Sequence, residues 1–279
     1  VAPYFGTVEK PECHMLYNVT TMASTWNTVA TRDIRLLRKQ MDIVCSLPRE
    51  YTFLNYLRCH DDIGWGLDYD TLKTWGMQEV PHKKYLNDYF QGRTEGSVSR
   101  GELYNEDLVT GDARFCATTA SMCGIESAGF EQNEEKMDKA ITKDIMLHAY
   151  MFTQSGIPML YSGDEIGQVN DYTYKEDPEK APDSRYIHRG KFNWDLVDNI
   201  NDDGSVQGRL FRALDELETI RRREPVFNTD AEVYTKDYSD TSILWVVRKA
   251  EGEELHAVFN FSDHDKEVWM PEIRPYQDL

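Results

Sequence analysis

An apolar run at residues 53–57 ends abruptly in a polar cluster, His60-Asp61-Asp62. A short apolar run bounded by polar residues is typical of a buried β-strand. Catalytic side chains in α/β proteins usually lie where a buried strand ends and its loop begins. The cluster is therefore the first candidate for a functional site, and the run before it is a candidate central strand.

The remaining pattern predicts helices and strands on both sides of this run. Helices are predicted at residues 32–46, 83–90, 113–124, 136–155 and 207–223, and strands at residues 14–17, 51–57, 157–162, 231–234, 243–247, 256–260 and 267–270. The order strand, helix, strand indicates a parallel sheet with crossover helices. The last four strands, with turn residues between them, indicate an antiparallel β domain. We expect an α/β portion at residues 1–224 with a long insertion at 66–111, followed by a small, incomplete β domain at 225–279.

The composition of the 279 residues narrows the class of ligand. A formal net charge of −18 disfavours nucleic acid and anionic membranes, and it is compatible with a neutral ligand such as a sugar. No apolar run approaches the ~20 residues of a membrane span. The five cysteines are odd in number and lack the spacing of a metal site, which predicts reduced thiols in a cytoplasmic protein. No metal or cofactor is predicted.

The cluster itself has two interpretations. Its carboxylates are either a helix cap or a solvated pair at a strand end, or they belong to a catalytic site. Adjacent side chains on extended backbone point to opposite sides, so Asp61 and Asp62 are expected to have different roles. In the catalytic interpretation, Asp61 acts on the reacting centre, and Asp62 faces a neighbouring subsite or a structural partner.

Six segments carry a family resemblance. They are Glu12-Cys13-His14-Met15-Leu16-Tyr17-Asn18, Trp26-Asn27-Thr28-Val29-Ala30-Thr31-Arg32, Arg58-Cys59-His60-Asp61-Asp62-Ile63-Gly64-Trp65, Gly92-Arg93-Thr94-Glu95-Gly96-Ser97-Val98-Ser99-Arg100-Gly101, Gly156-Ile157-Pro158-Met159-Leu160-Tyr161-Ser162-Gly163-Asp164-Glu165-Ile166-Gly167 and Asp183-Ser184-Arg185-Tyr186-Ile187-His188-Arg189. In this order and spacing they resemble the α-amylase-type glycoside hydrolases (family 13), above all the amylosucrase branch. The resemblance covers nearly the whole chain.

The resemblance implies roles for several residues. Asp61 matches the family's transition-state-stabilising aspartate, and His60 matches a histidine that hydrogen-bonds the sugar in subsite −1. Asp62 and Arg100 would meet the leaving or acceptor sugar. Arg185 matches an arginine that closes the pocket floor by pairing with an upstream aspartate, a partner without a match in this chain.

Roles without function are the alternatives for several of these segments. An arginine in a polar loop is more often a surface residue, and this applies to both Arg100 and Arg185. The glycine-rich stretch at 92–101 does not follow a strand and open a helix, so a phosphate-binding loop is disfavoured. Asp164 and Glu165 end a predicted strand, and a structural role is favoured for Glu165.

The implied fold is the C-terminal part of a (β/α)8 barrel, strands six to eight, followed by an antiparallel β domain. The family's nucleophile and acid/base match no carboxylate here, so the resemblance implies part of a longer retaining enzyme that acts on sucrose or, as second choice, an α-glucan oligosaccharide. The chain alone is expected to be inactive and to self-associate through its open sheet. Two rival functions are an α-glucan-acting hydrolase of the same type and a non-catalytic carbohydrate-binding fragment.

Overall fold

The structure is a computed structural model that describes residues 2–7 and 9–270. Within these residues, nine α-helices and nine β-strands are formed. The helices are α1 (Val19–Thr31), α2 (Arg35–Cys45), α3 (Tyr69–Thr74), α4 (Glu79–Phe90), α5 (Thr119–Cys123), α6 (Ile125–Glu131), α7 (Glu134–Thr153), α8 (Trp194–Val197) and α9 (Val206–Arg223). The strands are β1 (Met15–Tyr17), β2 (Thr52–Asn55), β3 (Ile63–Gly64), β4 (Glu102–Tyr104), β5 (Arg114–Cys116), β6 (Ile157–Pro158), β7 (Glu232–Lys236), β8 (Ile243–Ala250) and β9 (Glu253–Asn260).

A three-stranded parallel sheet in the order β1-β2-β6 positions the candidate site. Leu16 of β1 pairs with Phe53 of β2, and Leu54 of β2 pairs with Ile157 of β6. Helices α1 and α2 connect the first pair of strands, and α7 leads into the third. The predicted α/β class, with crossover helices between parallel neighbours, is confirmed in this part of the chain.

Helix α1 is the element that sequence patterning missed. Ten of its residues are buried, and five of these are polar Thr, Ser or Asn residues, so apolar residues do not mark one face with a clear helical period. Trp26 is fully buried and donates from its indole Nε1 to the carbonyl oxygen of Leu57 at 2.7 Å. This bond attaches the helix to the chain just before the His60-Asp61-Asp62 cluster.

The segment after the cluster forms a second sheet, which shares its core with the first part of the chain. Strands β3, β5 and β4 make an antiparallel sheet beside α3 and α4. Phe115 of β5 is buried against Trp65 and Phe90. The predicted helix at residues 113–124 is wrong in its first half, because that part pairs as β5. The helix begins only after Thr118, whose side chain accepts a hydrogen bond from the backbone N–H of Ser121.

The last three strands form an antiparallel sheet in the order β7-β8-β9. Arg248 of β8 is buried and donates to the carbonyl oxygens of Thr153 and Gln154 at the end of α7. The strand predicted at residues 267–270 is wrong, since no strand forms there, and residues 271–279 lie outside the described part. The domain boundary at residue 225 stays a prediction.

Two further predictions differ from the structure in detail. The predicted strand at residues 157–162 is confirmed only over Ile157–Pro158, and α7 ends with Gln154 as its C-cap instead of Gly156. Among the described residues, no helix has the length and apolar character needed to cross a membrane.

Candidate functional site

The candidate site is the loop that follows β2. Residues Tyr56 to Arg58 are buried, and the chain then emerges into solvent, where the His60 and Asp61 side chains are 62% and 60% exposed. The polar cluster is thus at the carboxyl end of a parallel strand, as the sequence predicts. The imidazole Nε2 of His60 lies 3.6 Å from Oδ1 of Asp61.

The side chains of His188 and Arg189 hold this loop. His188 is the last residue of the 3₁₀ turn Ser184–His188, and Arg189 follows it. Both donate to the carbonyl oxygen of His60, Arg189 from Nε at 2.6 Å and His188 from Nε2 at 3.2 Å. Nη2 of Arg189 also lies 3.6 Å from Oδ1 of Asp61. We call His188 and Arg189 the carbonyl clamp, because together they fix the backbone that carries the Asp61 carboxylate.

Arg58 is bonded to the backbone of the carbonyl clamp. It is 2% exposed, and its guanidinium lies 4.0 Å from the centroid of the Tyr161 ring. It donates to the carbonyl oxygens of Cys59 at 3.2 Å and of His188 at 3.3 Å. Burial lowers the pKa of Arg58, yet a guanidinium stays charged in proteins. One buried cation therefore joins the loop to the turn.

Asp61 and Asp62 have different partners, as expected for adjacent carboxylates. Asp61 lies near Arg189, whereas Asp62 is only 17% exposed and lies 3.4 Å from Nε of Arg114 on β5. Asp62 is thus tied to the small antiparallel sheet, and Asp61 is the carboxylate that faces solvent.

Arg185 has a local partner. Its Nε and Nη2 donate to the two carboxylate oxygens of Asp183 at 2.8 and 2.7 Å, and its guanidinium lies 4.8 Å from the centroid of the Tyr104 ring. The hydrogen bonds from Arg185 lower the pKa of Asp183. Asp183 thus engages two of the five N–H donors of Arg185. The upstream partner implied by the resemblance has no match in this chain and stays a prediction.

Arg100 lies apart from the cluster. Its Nη1 donates to the carbonyl oxygen of Ser99 at 2.8 Å, and its own carbonyl oxygen accepts from Nδ2 of Asn170 at 3.0 Å. Among the described residues, Arg100 makes no hydrogen bond or ion pair to the cluster. The structure therefore brings His60 and Asp61 together, holds Asp62 beside them, and leaves Arg100 at the start of β4.

A buried charged group lies behind the loop. Nδ1 of His148 donates to the carbonyl oxygen of Asp144 at 3.0 Å and lies 2.8 Å from Oδ1 of the Asp144 carboxylate. The other ring nitrogen, Nε2, lies 3.8 Å from Oδ2 of Asp164. Burial opposes the charged imidazole, but the two carboxylates outweigh it and raise the pKa of His148 to about 10. The ring is therefore a cation at neutral pH.

The sequence reasoning missed the carbonyl clamp, Arg58 and His148. His188 and Arg189 stand in a segment that it singled out for Arg185 alone, and Arg58 ends the apolar run itself. A basic residue directly after a buried strand, before the polar cluster, was an available signal for Arg58. His148 and Asp144 are four residues apart on α7, which is a spacing that places them on one helix face.

A metal ion is poorly suited to the cluster. Cys59, His60 and Asp61 bring potential ligand atoms within 4.8 Å of one another. However, the Arg189 guanidinium lies 3.6 Å from Asp61, and its positive charge opposes a bound cation. We therefore assign no metal to this loop.

Comparison with known proteins gives distant sequence relatives. No family model matches the chain. The glucosylglycerate phosphorylase of Escherichia coli strain K12 is 23% identical over 267 residues, which are 95% of this chain and 44% of the relative. The chain thus spans less than half the length of this curated relative.

Solved structures agree on the fold. The sucrose 6F-phosphate phosphorylase of Thermoanaerobacter thermosaccharolyticum superposes with a TM-score of 0.62 at 16% identity, covering 88% of this chain and 43% of that chain. AmyP in complex with maltose gives a TM-score of 0.55 at 15% identity, covering 92% and 42%. These likenesses confirm the predicted fold class, barrel strands six to eight followed by an antiparallel sheet.

Proposed function

We propose that this chain is part of a retaining α-glucosidase or glucosyltransferase of the α-amylase type. Sucrose is the first choice of glucosyl donor and an α-glucan oligosaccharide the second. One observation carries the proposal: the solvent-facing Asp61 carboxylate at the end of β2, with the preceding carbonyl held by two donors.

The roles follow from charge and position. The transition state of glycoside cleavage is oxocarbenium-like, so a fixed carboxylate beside it is stabilising. Asp61 supplies that carboxylate, and His60 donates a hydrogen bond to the sugar in subsite −1. The carbonyl clamp fixes Asp61 before substrate binds, which avoids reorganisation during the reaction.

The neighbouring residues shape the rest of the site. Asp62, fixed by Arg114, and Arg100, in the long insertion, would meet the leaving or acceptor sugar. Arg185, held by Asp183, would form part of the pocket floor. The nucleophile and the acid/base would come from a longer polypeptide, which is in keeping with a chain that spans 44% of its phosphorylase relative.

Phosphorolysis is the second candidate. The sequence relative and one structural neighbour are named phosphorylases. In addition, the partly exposed guanidinium groups of Arg114 and Arg189 lie beside the loop. Guanidinium is well suited to bind phosphate, which would replace a sugar or water as the glucosyl acceptor.

Product analysis of the complete gene product separates these candidates. The enzyme would be incubated with sucrose or with maltooligosaccharides, each with and without inorganic phosphate. Elongated glucan from sucrose supports an amylosucrase-like transferase, and free glucose from sucrose supports hydrolysis. Shortened maltooligosaccharides support an α-amylase-type hydrolase, and phosphate-dependent glucose 1-phosphate supports phosphorolysis. Binding of these sugars without any turnover would contradict the enzyme proposal and favour a carbohydrate-binding role.

A further inference from the structure

Four buried ionisable side chains connect helix α7 to the loop that carries Asp61. They belong to Asp144, His148, Asp164 and Arg58, and each of these residues is at most 5% exposed. Carboxylates and basic groups alternate along this series. Because solvent barely reaches these side chains, it screens their charges little, and each charge depends on its neighbours in the series for compensation. We call these four residues the charge network.

The charge network begins on α7. Nδ1 of His148 lies 2.8 Å from Oδ1 of Asp144, and Nε2 lies 3.8 Å from Oδ2 of Asp164. The fully buried Cys123 thiol of α5 also lies beside Asp144, but burial and then the Asp144 carboxylate raise the pKa of this thiol, so it stays protonated. A neutral thiol compensates no charge. The His148 cation is therefore shared between Asp144 and Asp164.

Asp164 lies between two buried cations, since it faces Arg58 as well as His148. Burial lowers the pKa of Arg58, and the Asp164 carboxylate is the strongest of the influences that oppose this shift. Arg58 and Asp164 also line the same cavity of about 160 Å³. Among the described residues that line this cavity, they carry the only formal charges, because burial keeps the His188 ring neutral. Asp164 is thus placed to compensate the guanidinium as well as the imidazolium.

The turn after β6 holds Asp164 in this position. The N–H of Asp164 donates to the carbonyl oxygen of Tyr161 at 2.9 Å, and the Tyr161 ring centroid lies 4.0 Å from the Arg58 guanidinium. One short turn therefore supplies both the ring that contacts Arg58 and the carboxylate that faces it. The next residue, Glu165, instead accepts a hydrogen bond from the N–H of Gly163 at 2.8 Å, a local contact outside the charge network.

Arg58 connects the charge network to the candidate catalytic loop. It donates to the carbonyl oxygens of Cys59 and His188, and Nε2 of His188 donates in turn to the carbonyl oxygen of His60. Sγ of Cys59 accepts a hydrogen bond from the N–H of Asp61 at 3.5 Å. A displacement of Arg58 would therefore loosen the backbone that carries Asp61.

We propose that Asp164 is a positioning residue, which couples the His148 cation on α7 to Arg58 and so fixes the loop that carries Asp61. This role requires no contact with the substrate. A neutral side chain at position 164 would leave two buried cations without the carboxylate between them, and their repulsion would move Arg58. The expected effect on turnover rests on the proposed function, whereas the effect on the loop is independent of the reaction.

Steady-state kinetics of the complete gene product with sucrose test the effect on turnover. Asp164→Asn removes the charge at nearly constant shape, and Asp164→Glu restores it, with the adjacent cavity providing space for the extra methylene group. Glu165→Gln is the matched control, a neighbouring carboxylate with a local partner. We expect Asp164→Asn to lower kcat by about tenfold while KM changes by less than about twofold. Asp164→Glu should recover most of this loss, and the control should resemble the unmodified enzyme.

Alkylation of Cys59 by iodoacetamide measures the loop without relying on turnover. Cys59 is half-buried within the loop, whereas Cys13 is exposed and provides an internal reference. Peptide mass spectrometry follows each thiol separately. Because local opening controls the reaction of a half-buried group, Asp164→Asn and His148→Gln should increase the rate at Cys59 relative to Cys13 by about tenfold or more. Asp164→Glu and Glu165→Gln should leave this ratio unchanged.

A folded Asp164→Asn variant with unchanged kcat and unchanged Cys59 alkylation would overturn the proposal. Equally fast Cys59 alkylation in Glu165→Gln would overturn it as well, since the effect would then not depend on the charge network. If Asp164→Asn does not fold, His148→Gln provides the same two measurements from the far end of the network, and unchanged values there would also overturn the proposal.

Failure of the proposed function gives a different pattern. If Asp61→Asn retains the turnover of the unmodified enzyme while Asp164→Asn accelerates Cys59 alkylation, the charge network positions the loop as proposed, and the loop is not the catalytic site. If Asp61→Asn abolishes turnover while Asp164→Asn changes neither kcat nor alkylation, the proposed function stands and the positioning role of Asp164 fails.

Discussion

Nη2 of Arg189 lies 3.6 Å from Oδ1 of Asp61, and Nε of the same guanidinium donates to the carbonyl oxygen of His60 at 2.6 Å. Arg189 therefore contacts both the candidate catalytic carboxylate and the backbone just before it. Since 129 residues separate Arg189 from His60, this contact couples two distant parts of the chain. Arg189 is a positioning residue for Asp61.

Arg189→Ala should lower kcat/KM of the complete enzyme by about 10- to 100-fold. A charge-assisted hydrogen bond contributes ~1.5–3 kcal/mol, and its loss frees the loop that carries Asp61. Arg189→Lys keeps the charge but loses the planar fork, so an intermediate loss is expected. Arg212→Ala, which removes a surface ion pair with Asp203, is the control. Steady-state kinetics with full activity in Arg189→Ala would remove Arg189 from this role.

Arg100→Ala should change the product mixture more than the rate of sucrose consumption. The residue lies in the long insertion and is not in contact with the Asp61 cluster, so an effect on the acceptor is expected without a large effect on glucosyl transfer. Chromatography of free glucose against oligosaccharide measures the ratio. Arg93→Ala, which removes a largely exposed arginine from the same stretch, is the control. An unchanged ratio would indicate that Arg100 is a structural or surface charge.

His148→Gln should destabilise the chain most at low and neutral pH. The folded-state pKa of His148 is raised to about 10, compared with about 6.5 in the unfolded chain. Its stabilising contribution is therefore complete below pH ~6.5 and is lost as pH rises through ~10. Breaking a buried ion pair typically costs ~3–5 kcal/mol, so the difference from wild type should be of that size at pH 6 and shrink towards pH 10.

Chemical denaturation across this pH range measures the His148 effect. Tyr150→Phe, in the same helix and also fully buried, controls for packing and for other groups that titrate at high pH. The control should be destabilised by a nearly constant amount. A constant difference for His148→Gln as well would show that the ring is neutral in the folded chain.

The chain alone is predicted to have no glycosidase activity and to self-associate. The parallel sheet has three strands, so β1 and β6 each pair on one side only among the described residues. Met15, Tyr17 and Ile157 on these outer strands are 46–48% exposed. Unpaired strand edges with apolar side chains promote association. Light scattering and an assay with sucrose and an aryl α-glucoside provide the measurements, and a monomeric, active chain would contradict both expectations.

The sequence predicted best what depends on local pattern. The apolar run before His60 marked β2, and the strand-end position of Asp61 followed from it. The pairing of Arg185 with Asp183 could also have been predicted from the sequence, because the two residues are only two positions apart. The bidentate geometry of that pair requires only a local turn.

The carbonyl clamp could not be predicted in the same way. His188 and His60 are 128 residues apart in the sequence. The periodicity of apolar residues predicts helices and strands, but it does not predict which distant polar side chain donates to a given carbonyl oxygen. Helix α1 was missed because Thr, Ser and Asn occupy half of its buried positions, so apolar residues do not mark its buried side.

Turnover by Asp61→Asn is the most direct measurement of the central claim. The complete enzyme and this variant would be compared with sucrose as substrate, beside Asp70→Asn as a control on a carboxylate that is 97% exposed. Because Asp61 acts mainly in the transition state, we predict that kcat falls by ~10²-fold or more while KM changes little. Near-wild-type kcat in a correctly folded Asp61→Asn variant would contradict the assignment of this loop as the catalytic site.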